Sequence, residues 1–110
     1  MKILQILPAL RVGGVETGTI DFARYLIEHG HEAIVVSSGG GLVSDLEKAG
    51  GRHYKLNVKE KNLFTMLWAM RKLEQILIKE HVDIVHARSR VPAWIAYFAC
   101  RKLRIPFITT

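Results

Sequence analysis

Apolar and polar positions along this chain alternate between two rhythms, and each change of rhythm marks an element. Ile3, Leu4, Ile6 and Leu7 make a short β-branched run, the pattern of a central parallel strand covered on both faces. Pro8 removes a backbone donor and stops the ladder. Gly13-Gly14 allow a sharp turn with no Cβ in the way. Val15, Ile20, Phe22, Ala23, Leu26 and Ile27 then recur at helical spacing as far as His29, and Gly30 stands where a left-handed cap belongs. His31 to Ser37 reads as a second buried strand, Ser38 to Gly41 as a glycine-rich loop. Leu42, Val43, Leu46 and Ala49 predict a short amphipathic helix, ended by Gly50-Gly51.

Arg52 to Leu56 alternates weakly, as a shorter third strand nearer an edge would, and Asn57 to Lys61 is a polar, mostly basic loop. Asn62 is the expected N-cap of a long helix carrying Leu63, Met66, Leu67, Met70, Leu73 and Leu77 on one face. Val82 to His86 predicts a fourth strand, Pro92 opens a helix over Ala93 to about Lys102, and Pro106 to Thr110 predicts a fifth strand. Strands alternating with helices across short loops call for a parallel sheet with right-handed crossovers. The expected fold is Rossmann-like α/β, three layers α/β/α, with a five-stranded parallel sheet in the order 3-2-1-4-5. In that order strands one and four are neighbours, and a crevice opens at their carboxyl ends because the winding reverses there. The loops meeting at it are Pro8 to Gly14 and His86 to Val91. Ending on the last residue of a strand, the sequence reads as a segment of a longer protein.

Composition excludes several classes. At 110 residues this is one domain or part of one, and no apolar run approaches the roughly 18 to 20 residues of a membrane span. Pro8, Arg11 and the glycine pair interrupt any secretory leader. One cysteine, Cys100, forbids an internal disulfide, points to a reducing cytoplasmic setting, and reads as a small core residue. The net charge of +6 is unevenly placed. After Asp83 come Arg88, Arg90, Arg101, Lys102 and Arg104 with no carboxylate side chain, and residues 52 to 72 are also strongly basic. Such skew favours anionic partners: a phosphorylated substrate, an anionic membrane surface or nucleic acid. Nucleic acid rests on charge alone, without aromatic-interleaved basic strands.

The candidate chemistry sits on the two crevice loops. Arg11-Val-Gly-Gly-Val-Glu16 fits neither the dinucleotide fingerprint nor the phosphate-binding P-loop, and no acidic residue ends strand two to hold a ribose. A strand, a glycine turn and a helix N-terminus nevertheless present free N–H groups to an anion. Glu16 suits the helix dipole as a cap; in a functional role it accepts hydrogen bonds from a polyol. Gly18 inside the helix costs about 1 kcal/mol relative to Ala, so something packs closely there. His86 ends strand four and is followed by Arg88, Ser89 and Arg90 before the Pro92 helix. Arginines beside a helix N-terminus form a phosphate or carboxylate receptor, and the imidazole can bond a sugar hydroxyl or a diphosphate oxygen. Asp83, at the other end of the strand, reads as a turn residue. Trp68 and Phe64 are expected in the core. No spacing suggests a metal.

Together these segments resemble a known family. Leu7-Pro8, Gly13-Gly14-Val15-Glu16, Gly30-His31-Glu32 and Asp83-Ile-Val-His86-Ala-Arg-Ser-Arg90 resemble the N-terminal domain of the family 4 retaining glycosyltransferases of the GT-B fold, over Met1 to Thr110. The stretch from His86 to Trp94 looks like bacterial members that build lipopolysaccharide or related surface glycans. The resemblance implies an acceptor-side domain facing a donor domain, here missing, that would hold a nucleotide-diphosphate sugar, so that this fragment alone should not catalyse transfer. It implies that Gly13 and Gly14 lie near the donor's diphosphate and that His86 lines the cleft. It also implies no cofactor or metal, and a cytoplasmic enzyme touching the inner face of the membrane through basic surface near residues 52 to 72. A stand-alone binding module for phosphorylated or nucleotide ligands is the alternative, and an unfinished sheet edge favours a homodimer.

Overall fold

A computed structural model describes residues 1–9, 14–58 and 62–109. The elements follow the sequence rhythm: β1 (Lys2–Ile6), α1 (Gly14–Glu28), β2 (Glu32–Ser37), α2 (Val43–Lys48), β3 (Arg52–Lys55), α3 (Leu63–Glu80), β4 (Ile84–Ala87), α4 (Arg90–Leu103) and β5 (Phe107–Thr109). The five strands form one parallel sheet in the order β3-β2-β1-β4-β5, as expected for the Rossmann-like fold.

Because side chains alternate along each strand, the sheet divides its residues between two helical layers. Leu7, Ala33 and Val35 pack with Ile20, Ala23 and Leu26 of α1 and Leu46 of α2. Leu4, Ile6, Ile34, Val36, Val85 and Ala87 face the other way, onto α3 and α4, where Cys100 is buried among them. Burial pushes the Cys100 thiol up to about 11, so it behaves as an inert core residue.

The caps are largely as the sequence implies. The Asn62 side chain accepts from the backbone N–H of Phe64 at 2.9 Å and Thr65 at 3.2 Å, closing the start of α3. Gly30 takes a left-handed φ of +82° after α1. Gly51 is obligatory for a different reason: a Cβ there would lie 2.5 Å from Leu46 Cδ1.

Two expectations need correction. Helix α4 starts at Arg90 rather than Ala93. Pro92 sits in its first turn, where its missing N–H would have had no intrahelical acceptor, so the helix runs back through it. The buried stripe of α3 is Ala69, Leu73 and Leu77, with Leu63 and Leu67 exposed. Phe64 and Trp68, expected in the core, are 80% and 55% exposed. Ala69 is the residue turned inward there, and it rotates its large neighbours outward.

Candidate functional site

The crevice lies at the carboxyl ends of β1 and β4, which pair side by side with Gln5 opposite His86 and Ile6 opposite Ala87. The two strands are clasped at both ends. At the amino end the Asp83 carboxylate accepts from the Lys2 backbone N–H at 2.7 Å, which gives Asp83 the turn role read from the sequence. At the carboxyl end the Arg88 backbone N–H donates to the Ile6 carbonyl at 3.0 Å.

Alternation along β4 puts Ile84, His86 and the following Arg88 on the α1 side of the sheet, beside Gln5. The Arg88 Nε donates to Gln5 Oε1 at 2.8 Å, a bond between residues 83 apart in the chain. Gln5, fully buried, donates through Nε2 to the Thr19 carbonyl at 3.2 Å. The Thr19 hydroxyl in turn donates to the Val15 carbonyl at 2.8 Å. Arg88 therefore lies across the first turns of α1, and a Cβ at Gly18 would meet its Nη1 at 3.9 Å. At that distance an added Cβ would make an ordinary van der Waals contact, so the guanidinium passes over Gly18 without requiring a glycine there, and the close packing expected from the sequence is not found.

Burial holds the Arg88 guanidinium below its ordinary pKa, and among the described residues no carboxylate pairs with it. His86 is half-buried, its ring edge-on to Phe22 of α1 with centroids 6.5 Å apart. Burial first, then the nearby Arg88 charge, lowers its pKa, so the ring is neutral near pH 7. Phe22 lies eight residues along α1 from Gly14, about 12 Å at 1.5 Å per residue. It is Arg88 rather than His86 that reaches toward the glycine end of the helix.

The remaining sequence candidates distribute as follows. Gly14 is the first residue of α1 and exposed; Gly13 lies outside the described residues. Glu16 is half-buried in the first turn of α1, without an ion pair among the described residues. Ser89 stands at the N-cap of α4 in extended conformation, with no side-chain capping bond. Arg90 is the first residue of that helix, exposed, and no carboxylate occupies the first turn. A cation there is opposed by the dipole, so the α4 N-terminus is left able to receive an anion.

Sequence reasoning passed over Gln5 and Phe22. A glutamine inside an otherwise apolar run is a usable signal, because a buried amide must find partners on both its ends. The serines of the β2 loop have structural work: Ser38 Oγ donates to the Pro8 carbonyl at 2.6 Å, and Ser37 Oγ bonds His53 Nε2 at 2.7 Å. Among the described residues no group of three or more His, Cys, Asp or Glu converges on a metal position.

Residues 12–110 match the model of Glycosyltransferase Family 4. The chain is similar to a crystal structure of a glycosyltransferase from Rickettsia africae, at 45% identity and TM-score 0.88, over 98% of this chain and 28% of that one. It shares its fold with Acinetobacter baumannii MurG at 18% identity and TM-score 0.76, over 98% of this chain and 34% of that one. It likewise shares the fold of Anabaena Alr3699/HepE in complex with UDP, at 21% identity and TM-score 0.77, over 99% of this chain and 29% of that one. Comparison with curated proteins gives no match. The chain thus spans about a third or less of the length of these structures.

Proposed function

The chain belongs to glycosyltransferase family 4, and from that membership we propose that it forms the N-terminal, acceptor-side part of a GT-B enzyme. That enzyme moves a hexose from a nucleotide-diphosphate sugar to a glycan or lipid-linked acceptor in surface-polysaccharide synthesis. The observation that carries this reading is Arg88, a half-buried cation fixed by Gln5 at the β1–β4 crevice with no carboxylate of its own among the described residues.

The roles follow from position. Arg88, Arg90 and the N-termini of α1 and α4 supply the positive potential that a departing nucleoside diphosphate needs, in a site where fixed donors cost no reorganisation. Gly13 and Gly14 let the ligand approach the backbone. His86, neutral at working pH, bonds a sugar hydroxyl, and Glu16 accepts from another. Ser89 offers a hydroxyl at the mouth of α4. The diphosphate is the group these residues recognise; no metal is assigned to this domain.

Since the chain spans 28% of the Rickettsia structure, transfer is assigned to the longer polypeptide, and this segment alone is expected to be inactive. The test is nucleotide-sugar turnover by the full-length enzyme bearing Arg88→Ala, Arg88→Lys or His86→Ala. Loss in the alanine variants with folding retained supports the reading. Unchanged turnover in Arg88→Ala and His86→Ala rejects it.

A further inference from the structure

A groove on the other face of the sheet has no part in the transfer reading. It runs between the edge strand β3 and helix α3, encloses about 420 Å³, and is walled chiefly by Tyr54, Trp68, Lys72, Gln75 and Lys79. Tyr54 belongs to the layer that packs against α3 and α4. His86 and Arg88 stand on the α1 side of the sheet, on and just after β4, three strands further along. The groove is therefore separate from the crevice.

Its charge has a single sign. Lys72 and Lys79 are exposed, and neither reaches a carboxylate among the described residues. None of the described residues lining the groove is acidic. Each ammonium instead stands near an aromatic ring, Lys72 at 5.5 Å from the centre of Trp68 and Lys79 at 5.9 Å from that of Tyr54. The Tyr54 ring is fixed by its hydroxyl, which donates to Glu80, and Glu80 is held in turn by Arg52 at 2.8 Å. That carboxylate is used inside the fold. Trp68 is 55% exposed and keeps apolar ring surface for a ligand.

Spacing gives the ligand its length. Residues 68, 72, 75 and 79 share one face of α3, a row about 16 Å long at 1.5 Å per residue, with the two lysines about 10 Å apart. A row of that length suits a chain-like ligand with several charges better than a single phosphate. Apolar ring faces can lie on the tryptophan, hydroxyls can meet the Gln75 amide, and anions can meet the lysines. An oligosaccharide bearing carboxylates has all three features; an acidic peptide has the charge without the hydroxylated rings.

We propose that the β3–α3 groove binds an acidic oligosaccharide, part of the glycan on which the enzyme works, with a sugar ring on Trp68 and carboxylates at Lys72 and Lys79. That the ligand is this glycan rests on the transfer reading; the binding itself does not. Calorimetry on the full-length enzyme without donor sugar tests it, using oligogalacturonate, galacturonic acid, a neutral maltooligosaccharide and poly-glutamate as probes. Expected is binding of oligogalacturonate at least tenfold tighter than of any other probe, and weakened by added salt. The pair Lys72→Gln and Lys79→Gln, and separately Trp68→Ala, should each weaken it about tenfold. Trp94→Ala on α4 and Arg88→Ala in the crevice should leave it unchanged, and circular dichroism checks every fold. Intact binding in an Arg88→Ala enzyme keeps the groove distinct from the transfer site, whatever its turnover. Absence of binding overturns the proposal, as does equal binding of poly-glutamate, which would reduce the groove to bare charge. Loss confined to Arg88→Ala would put the saccharide in the crevice and overturn it too.

Discussion

Arg52 and Arg88 stand at opposite ends of the same sheet, each tying elements distant in sequence, yet their surroundings differ in kind. Arg52 Nη2 lies 3.1 Å from Glu32 and 2.8 Å from Glu80, and the Tyr54 hydroxyl donates to the other oxygen of Glu80. Burial acts to lower the Arg52 pKa, but its hydrogen bonds to Glu32 and Glu80 outweigh that and hold it above the ordinary value. Arg88 is bonded to a neutral amide, and burial lowers its pKa without compensation from a carboxylate. One guanidinium is neutralised by the fold. The other is positioned by the fold and has no carboxylate partner among the described residues.

Replacing each group tests that contrast. Arg88→Ala should cut nucleotide-sugar turnover of the full-length enzyme by about 100-fold or more, the scale of a lost anion-stabilising donor. Arg88→Lys should not restore it, since an ammonium lacks the planar fork that bonds Gln5 and a ligand together. Steady-state kinetics on both variants would decide; full rescue by lysine would reduce Arg88 to a point charge.

Gln5→Glu makes the crevice resemble the Arg52 end by giving Arg88 a carboxylate. We expect the KM for nucleotide-sugar to rise about tenfold, the worth of one charge-assisted hydrogen bond, and the thermal midpoint to fall, because a carboxylate cannot donate the bond that Gln5 Nε2 gives the Thr19 carbonyl. A KM equal to wild type would mean that the Arg88 charge is not used.

Glu80→Gln addresses the structural end. It should lower stability by about 1 kcal/mol, seen as a reduced urea midpoint, and leave turnover intact. The hydrogen bond from Tyr54, opposed by burial and assisted by Arg52, keeps the Glu80 pKa below its ordinary value. A carboxylate depressed in the folded state stabilises above its unfolded pKa of about 4.3, and that contribution fades as pH falls toward the folded value. Wild type should therefore lose stability across that acid window more steeply than Glu80→Gln; parallel pH profiles would refute the pairing.

The smallest effect belongs to His86. Its pKa is lowered in the fold by burial and by Arg88, so the unfolded chain binds the proton more readily. Stability then falls as pH drops below about 6.5, and His86→Gln should flatten that slope slightly in pH-dependent melting curves.

How far the site was legible depends on which residue is considered. His86, Arg88 and Arg90 follow a buried strand, and Gly14 opens a helix after another, so strand order alone brings their loops to one end of the sheet. Gln5 was less visible because a periodic pattern assigns a residue to a face without saying what stands opposite. Phe64 and Trp68 were misread for the same reason: helical spacing shows which residues are apolar, but only packing decides which reach the core, and Ala69 took that place.

The local rhythm of this chain determined its elements and the sheet order, because period, glycine turns and proline stops act over a few residues and leave few windings open. Contacts between segments far apart in the chain needed the tertiary structure. The Arg88–Gln5–Thr19 chain, the guanidinium over Gly18 and the groove between β3 and α3 each depend on how two elements meet, and that is set by the fit of side chains across the interface.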